Sequence, residues 1–415
     1  MTASAFFQQL GRRLLDICCK PITARALIAL FVVGSALRIG LIMEQVIPGP
    51  NGQPNAPADF QFYYMSALAM RLGYGPYAAT FQPEVMRAIA ASLHAERWMM
   101  VYYYPPLTAQ LILPLTLLPL KVASYVWIGL LTGAAIAVAW LLSKTSPKPY
   151  SFTAALLLVL IFIPTGISIL AGQVNMLVLL ALTMAFYLAS RARWTGAGVS
   201  VTIAAMLKIV PGALIVWLGL TRRWRSVAAS LVAGLLLVVA ALPWGGVAAW
   251  MDFLRLFFQY SNSTALFSLP ARESISLAAA INLVVGTGHP AAFVIWRVAV
   301  WTMVLVTALA LGWRQEMGDW ELEFSAMVFL ANLFPVYAGY AQACLYLIPF
   351  YSLIMRAADQ PNRRWLWLLL AAYAAIEIAW PFGLSGLITI AVSLLLCGGL
   401  IAYLMIRKIR RQPAA

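Results

Sequence analysis

Long apolar stretches recur along this 415-residue chain, and clusters of Arg and Lys mark their ends. That alternation leaves few folds open. In lipid, a stretch of about 20 apolar residues satisfies its backbone groups only as a helix or in a closed barrel. A lipid-facing barrel strand alternates apolar and polar residues, and these stretches do not. The chain therefore reads as all-α, a polytopic transmembrane helical bundle. Composition agrees: 63% of residues are apolar and 10% charged, against roughly 45–50% and 25% in average chains.

The basic clusters are Arg12/Arg13/Lys20/Arg25, Lys144/Lys148, Arg191/Arg193, Arg222/Arg223/Arg225, Arg314, Arg356/Arg363/Arg364 and Arg407/Lys408/Arg410/Arg411. Placing all of them in the cytoplasm puts both termini inside and gives about twelve crossings. The expected spans are roughly 26–46, 122–142, 150–166, 174–190, 196–208, 210–220, 227–243, 291–311, 322–335, 342–356, 364–380 and 383–406. The first has no small-residue cleavage site after it and exceeds a signal h-region, so it reads as an uncleaved span. The formal net charge of +15 sits at the ends of apolar runs, which points to membrane orientation and away from nucleic acid. The expected location is the inner membrane, multi-pass, with the working face on the periplasmic or outer side.

Residues 1–415 are expected to form one integral-membrane domain. Two outer loops interrupt the apolar pattern, residues 47–104 and residues 244–274. Within the first, Phe60–Leu72 and 83–97 read as amphipathic helices at the interface, with a turn at Gly73-Tyr74-Gly75-Pro76-Tyr77 between them. Segment 107–120, with Pro114 and Pro119, fits either a crossing or the outer surface; Lys121 favours the crossing and the Lys144/Lys148 pair the surface, which is the reading adopted. Segment 275–286 is equally ambiguous. Segments 196–208 and 210–220 are together too short for two full crossings, yet Arg clusters flank both ends. Two half-length segments meeting at Lys208-Ile209-Val210-Pro211 satisfy both facts, and such a break must line a cavity.

Chemistry-bearing residues are few. Asp59 lies at the start of Phe60–Leu72, in a chain with only 13 acidic residues. Two roles fit it, helix capping and general-base catalysis, and one residue can serve both. Tyr102-Tyr103-Tyr104-Pro105-Pro106-Leu107 closes the loop; its tyrosines fit membrane anchors or an aromatic wall for a sugar or prenyl chain. Tyr63 belongs to the same aromatic set. Gln173 and Asn175, in Gly172-Gln173-Val174-Asn175, offer amides for sugar hydroxyls or for bonds between helices. Lys208 is an intramembrane cation that needs an anionic partner. A phosphate is one candidate, and an internal bridge to Asp59 or Glu377 is another. Arg38 and Arg297 fit phosphate contact or internal pairing, and Arg272 beside Glu273 fits a phosphate contact or a solvated pair. His94 reads as an ordinary surface histidine. Four cysteines and two histidines show no metal spacing, so no metal and no cofactor are expected.

These motifs, in order, resemble glycosyltransferase family 87. They are Asp59-Phe60-x-x-Tyr63-Tyr64-x-x-Ala67, Gly73-x-x-Pro76-Tyr77, Tyr104-Pro105-Pro106-Leu107, Gly172-Gln173-Val174-Asn175, Lys208-x-x-Pro211 and Arg222-Arg223-Trp224-Arg225. The resemblance implies a GT-C fold and an inverting, metal-independent transferase. It implies a polyprenyl-phosphate donor, a hexose (mannose above all), and a glycolipid, cell-envelope glycan or protein as acceptor. It also implies that Asp59 is the general base. Lys208, Arg38 and Arg272 would then face the donor phosphate, while Tyr63, Tyr104, Gln173, Asn175, Tyr337 and Gln342 would face sugar or lipid. Tyr337 and Gln342 lie in Phe334-Pro335-Val336-Tyr337-Ala338-Gly339-Tyr340-Ala341-Gln342, which departs from the histidine-containing stretch of many relatives. The alternative from another class is a transporter or flippase of a lipid-linked or anionic substrate.

Overall fold

A computed structural model describes residues 29, 58–95, 101–262, 274–286, 289–312, 319–360, 364–379 and 383–410. The expected first span therefore lies outside the described residues, apart from Ala29, as do Arg38 and Arg272. The described chain is helical throughout, with one isolated bridge between Ser274 and Gly339. Five helices are long and apolar enough to cross a membrane, or six if the bent pair 151–161 and 163–170 counts as one span. The chain is thus a multi-pass membrane protein, with shorter apolar helices at Pro106–Leu117, Asn175–Ser190, Trp194–Leu207 and Val210–Leu220.

The first described helices are α1 (Ala58–Arg71), α2 (Ala78–Phe81) and α3 (Pro83–Ser92); α1 is buried on nearly every side, in place of the amphipathic interfacial helix expected at Phe60–Leu72. Gly73 and Gly75 take φ of 89° and 78° in the turn after α1, a region that costs a side chain but not glycine. Next come α4 (Pro106–Ile112), running into a 3₁₀ turn at Leu113–Leu117, and α5 (Leu120–Ser143). The Tyr64 hydroxyl donates to the Leu118 carbonyl at 2.7 Å, and the Arg71 guanidinium donates to the Thr116 carbonyl at 2.5 Å, tying α1 onto that turn.

A bent pair follows, α6 (Ser151–Ile161) and α7 (Ile163–Leu170), meeting at 62°. Pro164 lacks the amide that would continue the helix. Then α8 (Asn175–Ser190) packs antiparallel on α9 (Trp194–Leu207). Helix α9 stops where expected. Lys208 turns extended (φ −155°, ψ 123°), a 3₁₀ turn covers Val210–Gly212, and α10 (Ala213–Leu220) resumes. The Leu207 carbonyl freed by that break accepts the Thr108 hydroxyl at 2.7 Å.

Helix α11 (Trp224–Ser261) carries the expected 227–243 span but does not end there. It runs on through the first part of the 244–274 loop, broken at Gly246 (φ 64°) just after Pro243. The apolar-to-mixed change in composition marked a kink, not a helix end. The close approach of α9 to α11 depends on Gly198, where a Cβ would lie 2.5 Å from the Ser226 carbonyl oxygen. The rest is α12 (Leu277–Val285), α13 (Pro290–Gly312), α14 (Trp320–Leu333), a 3₁₀ turn Tyr340–Tyr346, α15 (Leu347–Ala358), α16 (Arg364–Ala379) and α17 (Ser385–Arg410). One large apolar core runs from Phe60 to Leu404.

Basic residues of the described clusters gather at one end of this bundle. Lys148 pairs with Asp359 at 2.7 Å, while Arg356 (3.7 Å) and Arg407 both reach Asp319. Arg223 lies between Trp194 and Trp217, 3.8 and 4.9 Å from their ring centres, and meets Glu323 at 3.9 Å. Trp217 also donates to Glu323 at 3.2 Å. Helices α8 and α9 carry the chain from this end to Asn175 and Lys208, roughly 20 Å away at 1.5 Å per residue.

Candidate active site

Asp59 lies in the first turn of α1, where the helix dipole favours a carboxylate. Its own amide and that of Phe60 donate to the Ala171 carbonyl at 3.0 and 3.3 Å. Helix α1 is therefore docked, amide end first, onto the C-terminal end of α7. Gly172, at φ 72°, makes the left-handed turn that ends α7, and its carbonyl accepts the Trp127 indole at 2.7 Å. That turn brings Gln173 and Asn175 towards Asp59.

A continuous polar chain results. Gln173 Nε2 donates to Asp59 Oδ2, and Asn175 Nδ2 donates to Gln173 Oε1. Lys208 Nζ donates to Asn175 Oδ1 at 2.9 Å. The ends fix the sense of both amides, because a carboxylate only accepts and an ammonium only donates. Each amide thus turns its NH₂ towards the anion and its oxygen towards the cation, an order in which neighbouring bonds polarise one another. Asn175 is fully buried and is braced by the Ser168 hydroxyl at 3.4 Å. Asp59, Gln173 and Lys208 remain partly accessible.

Of the two roles open to Asp59, the carboxylate's bond is to Gln173 and not to a backbone amide. Asp59 Oδ1 has no hydrogen-bond partner among the described residues. Burial pushes the Asp59 carboxyl above the usual aspartate range, and the Gln173 bond and the Lys208 charge oppose that rise. The internal salt bridges open to Lys208 do not form within 4.0 Å among the described residues. Glu377 instead accepts the Ile163 amide.

The tyrosines form one wall of the site. Tyr104 sits with its ring centre 5.7 Å from Lys208 Nζ and packs edge-on to Tyr63 at 4.9 Å. The Tyr104 carbonyl is held by the Tyr77 hydroxyl at 2.8 Å. Tyr103 turns outward onto Tyr260 at 4.3 Å. Tyr337 lies close enough to Tyr104 and Tyr260 for their hydroxyls to interact electrostatically. Gln342 is buried and donates to Asn332 at 2.7 Å.

The structure thus brings Asp59, Gln173, Asn175, Lys208, Tyr104 and Tyr63 together. Sequence reasoning missed Trp127, Ser168 and Ala171, which hold that cluster. An indole inside an apolar helix and a backbone carbonyl carry no pattern that would mark them. Beside the site, an apolar groove of about 560 Å³ opens between α4, α8 and α9. Leu107, Leu111, Leu177, Leu180, Ile203 and Leu207 line it, and Leu207 precedes Lys208 directly.

The family model described as "Glycosyltransferase family 87" matches residues 102–338. Tyr104, Gln173, Asn175, Lys208 and Tyr337 fall within the match, while Asp59 and Tyr63 precede it. Over 212 residues the chain is 27% identical to proteins named alpha-(1->3)-arabinofuranosyltransferase from two strains of Mycobacterium tuberculosis, CDC 1551 / Oshkosh and ATCC 25618 / H37Rv. The alignment covers 49% of this chain and 45% of each relative, so the chain spans about half the length of the curated relatives it matches. With its family model matched over more than half of its length, and with the helical membrane architecture described above, the chain belongs to glycosyltransferase family 87.

Proposed function

We propose that the chain moves a sugar from a polyprenyl-phosphate donor to an acceptor hydroxyl at the outer face of the inner membrane, with inversion at the anomeric carbon. The observation that carries this reading is the hydrogen-bonded chain Asp59–Gln173–Asn175–Lys208. It holds a carboxylate and an ammonium at fixed places in one partly accessible site. In a single displacement the acceptor oxygen attacks the anomeric carbon while Asp59 takes its proton. The bond from that carbon to the phosphate oxygen breaks, and the electron pair leaves with polyprenyl phosphate. One base suffices, since no enzyme-linked intermediate forms.

The leaving phosphate gains negative charge, and Lys208 is placed to meet it with the donors that Asn175 does not use. Tyr104 and Tyr63 supply a face for the sugar or the first prenyl units. The groove next to Lys208 is apolar and of ligand size, which suits a prenyl tail entering sideways from lipid. Mannose is the sugar that the family resemblance implies. A second reading, an arabinofuranosyl donor, is favoured by the names of the mycobacterial relatives. The acceptor is taken to be a glycolipid, a cell-envelope glycan or a protein.

The test is turnover by the purified full chain in lipid nanodiscs, with radiolabelled polyprenyl-phosphate mannose and polyprenyl-phosphate arabinose offered separately. Extracted cell-envelope glycolipid serves as acceptor. Release of polyprenyl phosphate together with labelled glycolipid supports the reading and identifies the sugar. In a parallel arm with the chain in proteoliposomes, movement of intact donor across the bilayer without cleavage would establish the transporter alternative instead.

A further inference from the structure

Glu377 is an acidic side chain in the apolar helix α16, where a carboxylate is expensive and needs a reason. It lies one helical turn beyond Tyr373, and both residues address the break between α6 and α7. The Tyr373 hydroxyl donates to the Leu158 carbonyl at 2.7 Å, and its ring stacks on Phe162 at 4.9 Å. Glu377 receives the Ile163 amide on Oε1 at 3.1 Å and on Oε2 at 2.9 Å.

A helix start leaves its first amides without helical partners, and here each is accounted for. Ile163 donates to Glu377, Pro164 has no N–H, and Thr165 and Gly166 both donate to the Phe162 carbonyl at 2.9 and 3.3 Å. Glu377 also places negative charge at the positive end of α7. At the far end of the same two-turn helix, the Ala171 carbonyl holds the Asp59 and Phe60 amides. Midway, Ser168 donates to the Ala341 carbonyl at 2.8 Å and braces Asn175. Helix α7 is therefore a short strut with Glu377 at one end and the proposed base at the other.

We propose that Glu377 is a positioning residue for glycosyl transfer. By anchoring the start of α7, it fixes the Ala171 carbonyl, Gln173 and hence the Asp59 carboxylate relative to Lys208. This rests on the reading of Asp59 as general base. Glu377 does not touch the reacting atoms, so its effect appears in kcat and not in donor affinity. Misplacement by about 1 Å can cost on the order of 100-fold in rate.

The experiment compares Glu377→Ala, Glu377→Gln and Asp59→Asn with wild type in nanodiscs. It measures kcat, donor KM and the pH profile for the donor sugar that wild type turns over. Hydrogen exchange of the peptide covering 158–175 is followed in the same preparations. Glu377→Ala should lose about 10- to 100-fold in kcat, keep donor KM within about twofold, and shift the acid limb of the profile. Its 158–175 peptide should exchange faster. Glu377→Gln, whose side-chain oxygen still accepts the Ile163 amide, should recover kcat to within about threefold of wild type by keeping that one bond.

Wild-type kcat or unchanged exchange in Glu377→Ala would overturn the positioning role. So would a loss of more than about tenfold in Glu377→Gln, which keeps one of the two acceptors for the Ile163 amide; that arm stands even if the alanine variant does not fold. The two readings separate cleanly. Full turnover by Asp59→Asn refutes the base, whereas an inactive Asp59→Asn beside an unimpaired Glu377→Ala refutes the strut alone.

Discussion

Replacing Asp59 by Asn changes one atom at the point where the account is most exposed. The Asn oxygen can still accept the Gln173 amide, so no buried donor is left without a partner. The backbone bonds from residues 59 and 60 to the Ala171 carbonyl do not involve the side chain. Stability should therefore fall by no more than about 1 kcal/mol, the scale of one weakened hydrogen bond. Donor affinity should stay near wild type, because Lys208 keeps its bond to Asn175. What disappears is the carboxylate that would take the acceptor's proton. Loss of a general base costs about 10²–10⁴-fold, or roughly 2.7–5.5 kcal/mol at 1.36 kcal/mol per decade. The assay is steady-state release of polyprenyl phosphate, with donor Kd measured in parallel. We expect kcat at least 100-fold lower with Kd within about threefold, since the Lys208–Asn175 contact persists. Turnover within tenfold of wild type would refute the base assignment.

Lys208→Ala removes the ammonium and should weaken donor binding by at least about tenfold, the 1.4 kcal/mol of one charge-assisted contact; titration with polyprenyl phosphate alone reads this directly. Gln173→Leu removes the hydrogen bond that holds the Asp59 pKa down. The ionised base is the active form, so activity is lost as pH falls through its pKa, and the acid limb of kcat/KM should move to higher pH. Wild type should already show that limb above the usual aspartate range, because burial raises the carboxyl. Gly198→Ala places a methyl 2.5 Å from the Ser226 carbonyl and should destabilise the α9–α11 contact by about 1–3 kcal/mol, as overpacking does; a melting curve in detergent checks it.

Much of this was legible in the residues because membrane helices announce themselves. The spans at 122–142, 291–311 and 383–406 matched helices nearly end to end, since each is a single apolar run bounded by charge or proline. The break at Lys208-Ile209-Val210-Pro211 was legible for the same reason. An intramembrane lysine next to proline has few helical solutions. Helix α11 was harder, because Trp244 to Ser261 mixes polar and aromatic residues in a way that reads as loop.

The candidate site was legible in its residues but not in its connections. Asp59, Gln173, Asn175 and Lys208 each stood out as polar groups in apolar or aromatic surroundings. That two amides would link the carboxylate to the ammonium depends on how Gly172 turns the chain after α7. Glu377 appeared only as a possible partner for Lys208. Its bond to a backbone amide at a helix break has no side-chain signature in the sequence.

The anomeric configuration of the product tests the single-displacement account most directly. A donor of known anomeric configuration, turned over by the purified chain, gives a glycoside whose configuration NMR can assign. The account predicts complete inversion, with one polyprenyl phosphate released per bond formed and release at least about 100-fold slower from Asp59→Asn. A product that retains the donor's configuration would contradict it, because a single displacement at the anomeric carbon inverts that centre.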